Sequence, residues 1–384
     1  MTIVEADRPV TGGVDTHVDV HVAAALDPIG GLFGVESFAA SPAGYRKLYG
    51  WLSSFGPLAR VGVEGTGAYG AGLSRFLQRQ GVTVIEVDRP NRQARRSHGK
   101  SDPVDAIEAA RAALSGRARG LAKSRDGNVE AMRALLVVKR SARSARVATV
   151  NQMRHLCFTG PDDLRSRLAG LSAIMLPREA AAMRPRDTGD PVAYATRLSL
   201  QMLGRRMLLL DEQIERVEGL LGELVKQTAP TLLAIYGVGP DTGASLLVAA
   251  GDNPERLRSE AAWAHLCGVA PIQASSGKVV RHRLNRGGDR QANAALWAIV
   301  FCRTVSHPPT RAYLERRQKK DAPNERSCAS SSATSPARCI RTCAASSLRR
   351  RAWPKMCLTS NGLSSVRYAG PPPSTQLATR GRLA

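Results

Sequence analysis

The stretch Gly12–Leu26, GGVDTHVDVHVAAAL, decides how the rest of the chain is read. Alternating β-branched and small residues on either side of a short polar turn read as two strands, Gly13–Thr16 and His21–Leu26, with Asp15 near the end of the first. Working outward, Leu32–Phe38 reads as a third strand. Arg60–Glu64, in ARVGVEGTG, and Thr83–Val87 read as two more, with Glu64 ending an apolar pair as Asp15 does. Between them lie amphipathic segments, Pro42–Leu52 and Tyr69–Gln80. A further helical stretch, SDPVDAIEAARAAL, opens at Ser101 with Asp102 and Asp105 three residues apart.

Three strands in succession, then helix, strand, helix, strand and helix, is the element order of an RNase H-like α/β domain. In such an order carboxylates at two strand ends and a pair one helical turn apart can converge. Asp102 and Asp105, at i and i+3, share a helix face. Four acids at one point repel each other unless a divalent cation sits among them. Magnesium favours hard oxygen ligands, and two such ions about 4 Å apart hold both the attacking and the leaving oxygen of a displacement at phosphorus. Asp15, Glu64, Asp102 and Asp105 are therefore the candidate ligands and catalytic acids of a phosphoryl-transfer centre with two Mg²⁺ ions. Singly, each is an ordinary cap or surface charge, and Asp102 before Pro103 suits a helix start.

The chain has 384 residues and a formal net charge of +23. Residues 321–384 hold ten Lys/Arg and two acids, so +15 belongs to the remainder. A body this basic points to an extended polyanion as partner. Candidate nucleic-acid contacts are Arg95, Arg96 and Lys100, in the basic approach DRPNRQARRSHGKSDPVD, and Arg140 and Arg143 on a long helix from Val129. The opening MTIVEADRPV lacks the pattern of a signal peptide, and no apolar run suits a membrane span. Seven cysteines without CxxC spacing fit neither a disulfide framework nor a zinc site, so a cytoplasmic protein with reduced thiols is expected.

Four segments are expected: an α/β domain over 10–115, a helical linker over 125–228, a mainly α unit over 231–317 and a tail over 321–384. In the linker, Leu203, Met207, Leu210, Ile214, Val217, Leu221 and Leu224 alternate spacings of 4 and 3. That pattern suits a coiled-coil seam between copies or a helical hairpin packed on itself. In the third segment Gly237 and Gly239 precede a helix starting near Asp241. Backbone N–H groups there suit a DNA phosphate, as in a helix–hairpin–helix element. The Ser/Ala/Arg/Pro-rich tail reads as disordered, or as the product of a reading-frame change.

Beyond these readings, GVDTHVDVHVAAAL, VGVEGTGAYG and RRSHGKSDPVDAIEAARAAL resemble the RuvC-like DEDD domain of the insertion-sequence 110 family of transposases, related to Piv-type DNA invertases. GVGPDTGASLL and WAHLCGVAPIQASSGKVVRHRLNRGGDRQANAALW resemble the C-terminal transposase domain of that family. The resemblance spans about residues 10–317. It implies that Asp15, Glu64, Asp102 and Asp105 are the DEDD acids and that Ser276, before Gly277, is the catalytic serine, with Ser275 adjacent. It implies donor and target DNA as substrates, a bridge RNA that pairs with both, and a homo-oligomer, dimer or tetramer, in which one subunit's acids meet another's serine. Lys278, Arg281, Arg283 and Arg286 surround the serine and suit phosphate or RNA. The tail departs from the family's pattern.

The expected function is thus DNA strand cleavage and exchange by a guided transposase or site-specific recombinase. A metal-dependent nuclease resembling Holliday-junction resolvases and an inactive nucleic-acid-binding remnant are the alternatives.

Overall fold

The computed structural model describes residues 8–87, 101–187, 189–277 and 279–321. Arg95, Arg96, Lys100, Lys278 and the tail from 322 onward lie outside the described residues. Strands β1 (Val10–Thr16), β2 (Val20–Leu26) and β3 (Leu32–Ala39) form an antiparallel meander. The chain crosses through α1 (Pro42–Ser53) to β4 (Leu58–Glu64), parallel to β1, and through α2 (Ala71–Arg79) to β5 (Thr83–Val87), parallel to β4. A two-residue strand β6 (Gly120–Leu121) adds to β5 in the antiparallel sense, giving the order β3-β2-β1-β4-β5-β6.

The element order is the one expected from the sequence. β1 starts three residues earlier than expected, at Val10. Glycines 12 and 13 look like a break in the sequence, yet both lie inside the strand and face packed neighbours. The short β6 had no signal at all.

Period-two alternation divides the sheet into two faces. Val10, Val14, Val61 and Val63 face α1 and α2, whose Leu48, Leu52, Leu73 and Leu77 are fully buried in the main core. Ser41 starts α1 by accepting the Gly44 amide at 3.2 Å, with Pro42 fixing the first turn. The opposite face is covered by α3 (Asp102–Leu114).

Two long helices, α4 (Asn128–Thr159) and α7 (Pro191–Thr228), then pack on each other as a hairpin. Between them lie the short helices α5 (Asp162–Leu168) and α6 (Met175–Ala181). Met207, Leu210, Val217 and Leu221 of the expected seam are buried. Val217 and Leu221 meet Val129, Met132 and Leu136 of α4 within the same chain.

The C-terminal unit comprises α8 (Pro230–Leu233), α9 (Pro240–Ala250), α10 (Glu260–Leu266), the strands β7 (Ile272–Gln273) and β8 (His282–Arg283), α11 (Arg290–Ser306) and α12 (Pro308–Asp321). Leu246, Trp263, Cys267, Leu296 and Ile299 form its core. This unit is tied to the sheet domain by polar contacts. The Lys123 ammonium donates to the Val248 carbonyl at 2.7 Å, and Asn253 donates to Ala122 O at 2.8 Å. The Asp252 carboxylate accepts the Val129 amide at 2.9 Å and so caps α4 from a distance in sequence. Among the described residues no helix is long and apolar enough to cross a membrane.

Candidate active site

Gly13 and Asp15 fall on the α3 face of β1, and Gly62 and Glu64 on the same face of β4, because side chains repeat every second residue along a strand. The β1–β4 register pairs Val14 with Val63, so Asp15 and Glu64 lie one residue beyond that pair on neighbouring strands. The Thr16 hydroxyl donates to the Glu64 carbonyl at 2.8 Å and ties the two strand ends together.

Helix α3 comes unusually close to this face because both surfaces are made of small residues. A Cβ on Gly13 would sit 2.2 Å from the Ala110 nitrogen and 2.3 Å from the Ala106 oxygen. On Gly62 it would sit 2.4 Å from the Ala109 oxygen. On the helix, Ala106, Ala109, Ala110 and Ala113 form the matching i, i+3, i+4, i+7 stripe. Asp102 lies one turn before Ala106, and Asp105 one turn before Ala109. The stripe that presses the helix on the strands therefore also delivers its two acids to the strand ends.

There the acids fall into two neighbouring groups. Asp15, 7% exposed, and the half-buried Asp102 meet at His17 in the β1–β2 turn. His17 Nδ1 lies 3.7 Å from Asp15 Oδ2, and Nε2 lies 3.9 Å from Asp102 Oδ1. One donor atom from each of the three lies within 4.8 Å of the other two. Glu64 and Asp105, the latter 3% exposed, line a cavity of about 610 Å³. Arg117 and Arg119 supply part of its wall, and Arg256, Leu266 and Gly287 of the C-terminal unit close it. Sequence reading passed over both His17 and Arg256. The first had a signal in DTH, a ligand type two residues from Asp15 just past the strand end.

The donor set fits a small divalent cation. Hard carboxylate oxygens with one imidazole suit magnesium or manganese, and the spacing leaves room for an ion.

Ser276 lies on the β7–β8 hairpin, where its amide and carbonyl pair with Val279 at 3.2 and 3.1 Å across Gly277, whose φ is 55°. The serine is exposed, and its hydroxyl makes no hydrogen bond among the described residues. The adjacent Ser275 differs. Its hydroxyl accepts the Arg281 amide at 3.2 Å and donates to the Arg281 carbonyl at 3.3 Å, so it is part of the hairpin's own bonding. The cavity lining includes Gly287 but neither serine. Arg281, Arg283 and Arg286 are exposed around the hairpin.

The other predicted basic contacts diverge. Arg140 is exposed, with no ion pair among the described residues. Arg143 pairs with Asp241 at 3.0 Å and Glu218 at 3.1 Å, beside the buried Lys139, which reaches both acids at 2.9 Å. Burial alone would raise the Asp241 pKa, but the hydrogen bonds and charges of Lys139 and Arg143 outweigh it and hold the carboxyl below its ordinary value. Gly239 caps α9, its amide donating to the Thr242 hydroxyl at 3.0 Å, and Gly237 takes a positive φ of 84° against α11. Asp241 occupies the first turn of that helix, so a phosphate at Gly237 and Gly239 would approach a carboxylate that shares Lys139 and Arg143 with Glu218.

An α/β sheet carrying acids at two strand ends and on a crossing helix, joined to a mainly helical unit, is the make-up of a DEDD-type transposase. Residues 12–157 match a family model of this type described as a transposase, and residues 229–315 match one described as transposase of the IS116/IS110/IS902 family. The two matches together cover more than half of the chain, which belongs to the IS110 family of transposases. An uncharacterized 43.6 kDa protein of insertion element IS110 from Streptomyces coelicolor is 30% identical over 121 residues. That match spans 31% of this chain and 30% of the relative, so it covers less than a third of either.

Proposed function

We propose that the protein cuts and rejoins DNA strands as the transposase or site-specific recombinase of an insertion element. In this reading Asp15, Glu64, Asp102 and Asp105 hold two Mg²⁺ ions, and Ser276 is the nucleophile. The observation that carries it is the convergence of Asp15 with Asp102, beside a cavity lined by Glu64 and Asp105, in a chain of this family. The sheet order supports an RNase H-like domain of RuvC type.

Bound divalent ions supply charge neutralisation at the phosphate and favour loss of the nucleophile's proton. The chain's own residues do the rest. Arg117, Arg119 and Arg256 line the cavity beside its acids, Arg117 paired with Glu108 and Arg256 with Glu86, and so offset part of the negative charge that a phosphate would meet there. The Ser276 oxygen forms a bond to phosphorus as the strand's own P–O bond breaks and the leaving oxygen takes up a proton. The phosphodiester count is conserved, so rejoining needs no ATP. Among the described residues the Ser276 hydroxyl makes no hydrogen bond whereas that of Ser275 is held by Arg281, which favours Ser276.

Ser276 is absent from the cavity lining, which supports an assembly in which one subunit's acids work on a strand held by another's serine. Exposed apolar residues on the two long helices, Val137 and Val147 on α4 and Met202 and Leu209 on α7, offer a surface for such oligomerisation. Arg140, Arg281, Arg283 and Arg286 suit contacts with DNA or a bridge RNA, and Arg95, Arg96, Lys100 and Lys278 extend that set in sequence. The same absence also favours the second reading, in which water replaces serine and the protein is a resolvase-like nuclease.

Ser276→Ala separates the two. With donor DNA, guide RNA and Mg²⁺, the variant should lose the covalent protein–DNA adduct seen on denaturing gels, while Ser275→Ala keeps it. Undiminished cutting by Ser276→Ala would instead establish hydrolysis. Wild-type protein that binds DNA but neither cuts nor forms an adduct would leave only the binding remnant.

A further inference from the structure

His17 stands between two of the proposed metal-binding acids, and the sequence match to the DEDD pattern gives it no part. We infer that His17 is itself a ligand of the cation, one ring nitrogen completing a site with Asp15 and Asp102. The inference rests on the reading that these acids hold a divalent ion.

Three observations support it. The contacts of 3.7 Å to Asp15 and 3.9 Å to Asp102 are too long for hydrogen bonds, yet the ring lies between both acids. Ligand atoms around an octahedral ion at about 2.1 Å lie roughly 3–4.2 Å from one another, and one ring nitrogen here lies within 4.8 Å of an oxygen of each acid, a slightly wider span that binding of the ion would draw in. The ring is also placed by the backbone. His17 is the first residue beyond β1, and its amide donates to the Val20 carbonyl at 3.1 Å, which fixes it at the turn between β1 and β2 beside the end of the strand that carries Asp15.

A nitrogen ligand changes which ion the site prefers. Imidazole is a softer donor than carboxylate, and manganese accepts it more readily than magnesium does. The site is therefore tuned towards Mn²⁺ relative to one built from four carboxylates.

Pulsed electron paramagnetic resonance of the full chain with Mn²⁺ tests this without reference to activity. The wild type should show nitrogen coupling to the bound ion, altered when histidine is ¹⁵N-labelled. His17→Ala and His17→Gln should lose that coupling and bind Mn²⁺ about tenfold more weakly, while retaining the circular dichroism of the wild type. Bound Mn²⁺ without nitrogen coupling in the wild type would overturn the role of His17 and leave the acid centre standing. So would coupling that survives in His17→Ala. A wild-type chain that binds no Mn²⁺ would overturn the acid centre as well.

Discussion

Gly13 lies directly under the backbone of Ala110, where a Cβ would come within 2.2 Å of the helix nitrogen. Neither partner is a flexible side chain that can swing away, so a methyl group at Gly13 has to lift α3 off the sheet.

Gly13→Ala is accordingly expected to destabilise the protein by about 1–3 kcal/mol, the usual range for overpacking. It should also weaken divalent-ion binding, because the displaced helix carries Asp102 and Asp105. Gly50→Ala in α1 is the control: a Cβ there meets nothing within 4 Å. In a helix interior that change should be neutral or stabilising by up to about 1 kcal/mol. Denaturant titration and Mn²⁺ binding on both variants check the pair. Equal effects from the two would show that the close approach is not what holds the acids.

The same glycines show where sequence reading reached its limit. The alternation of GGVDTHVDVHVAAAL and ARVGVEGTG gave the strands and put Asp15 and Glu64 at their ends, since period two is local information. The tight helix contact is not local. It depends on Gly13 and Gly62 facing a stripe of alanines some 45 to 100 residues further along. Met207, Leu210, Val217 and Leu221 were legible as an apolar seam, but whether a second copy or α4 fills it depends on tertiary pairing. Arg256 was invisible for the same reason: its carboxylate partner Glu86 is 170 positions away.

The ion network at the start of α9 gives a pH prediction. The Asp241 pKa is held below 3.8 in the folded chain, with burial opposing and Lys139 and Arg143 prevailing. A depressed folded value means the native state binds the proton less tightly than the unfolded state does. The resulting stability is present above the ordinary carboxyl value and is lost as pH falls through the depressed one. Lys139→Met removes the main cation while keeping an apolar stem in a buried position. Its stability deficit relative to wild type should be full near neutral pH and narrow below about 3.8, in denaturation midpoints measured from pH 7 to pH 2.5. A deficit independent of pH would assign the effect to packing alone.

Arg256 joins the two halves of the candidate site through two bonds to the sheet domain and makes a third within its own unit. Its Nε donates to Leu121 O at 2.9 Å, Nη1 to Ala250 O at 3.2 Å and Nη2 to Glu86 Oε2 at 3.2 Å, on a side chain only 9% exposed. Glu86 in turn accepts the Thr66 hydroxyl at 2.8 Å, in the turn that follows Glu64. Arg256→Ala leaves these acceptors without their donor and should cost about 2–3 kcal/mol. Arg256→Lys should recover only part of that, because an ammonium cannot reproduce a planar fork reaching three acceptors. Amide hydrogen exchange should speed up at Gly120 and Leu121, since β6 is only two residues long. Lys123 supplies an independent readout. Its pKa is lowered first by burial and then by the charges of Arg256 and Arg125. Removing Arg256 should raise it towards the ordinary lysine value, as followed by NMR of the labelled ammonium. An unmoved Lys123 pKa together with unchanged exchange at β6 would mean that the C-terminal unit does not rest on the sheet edge in solution.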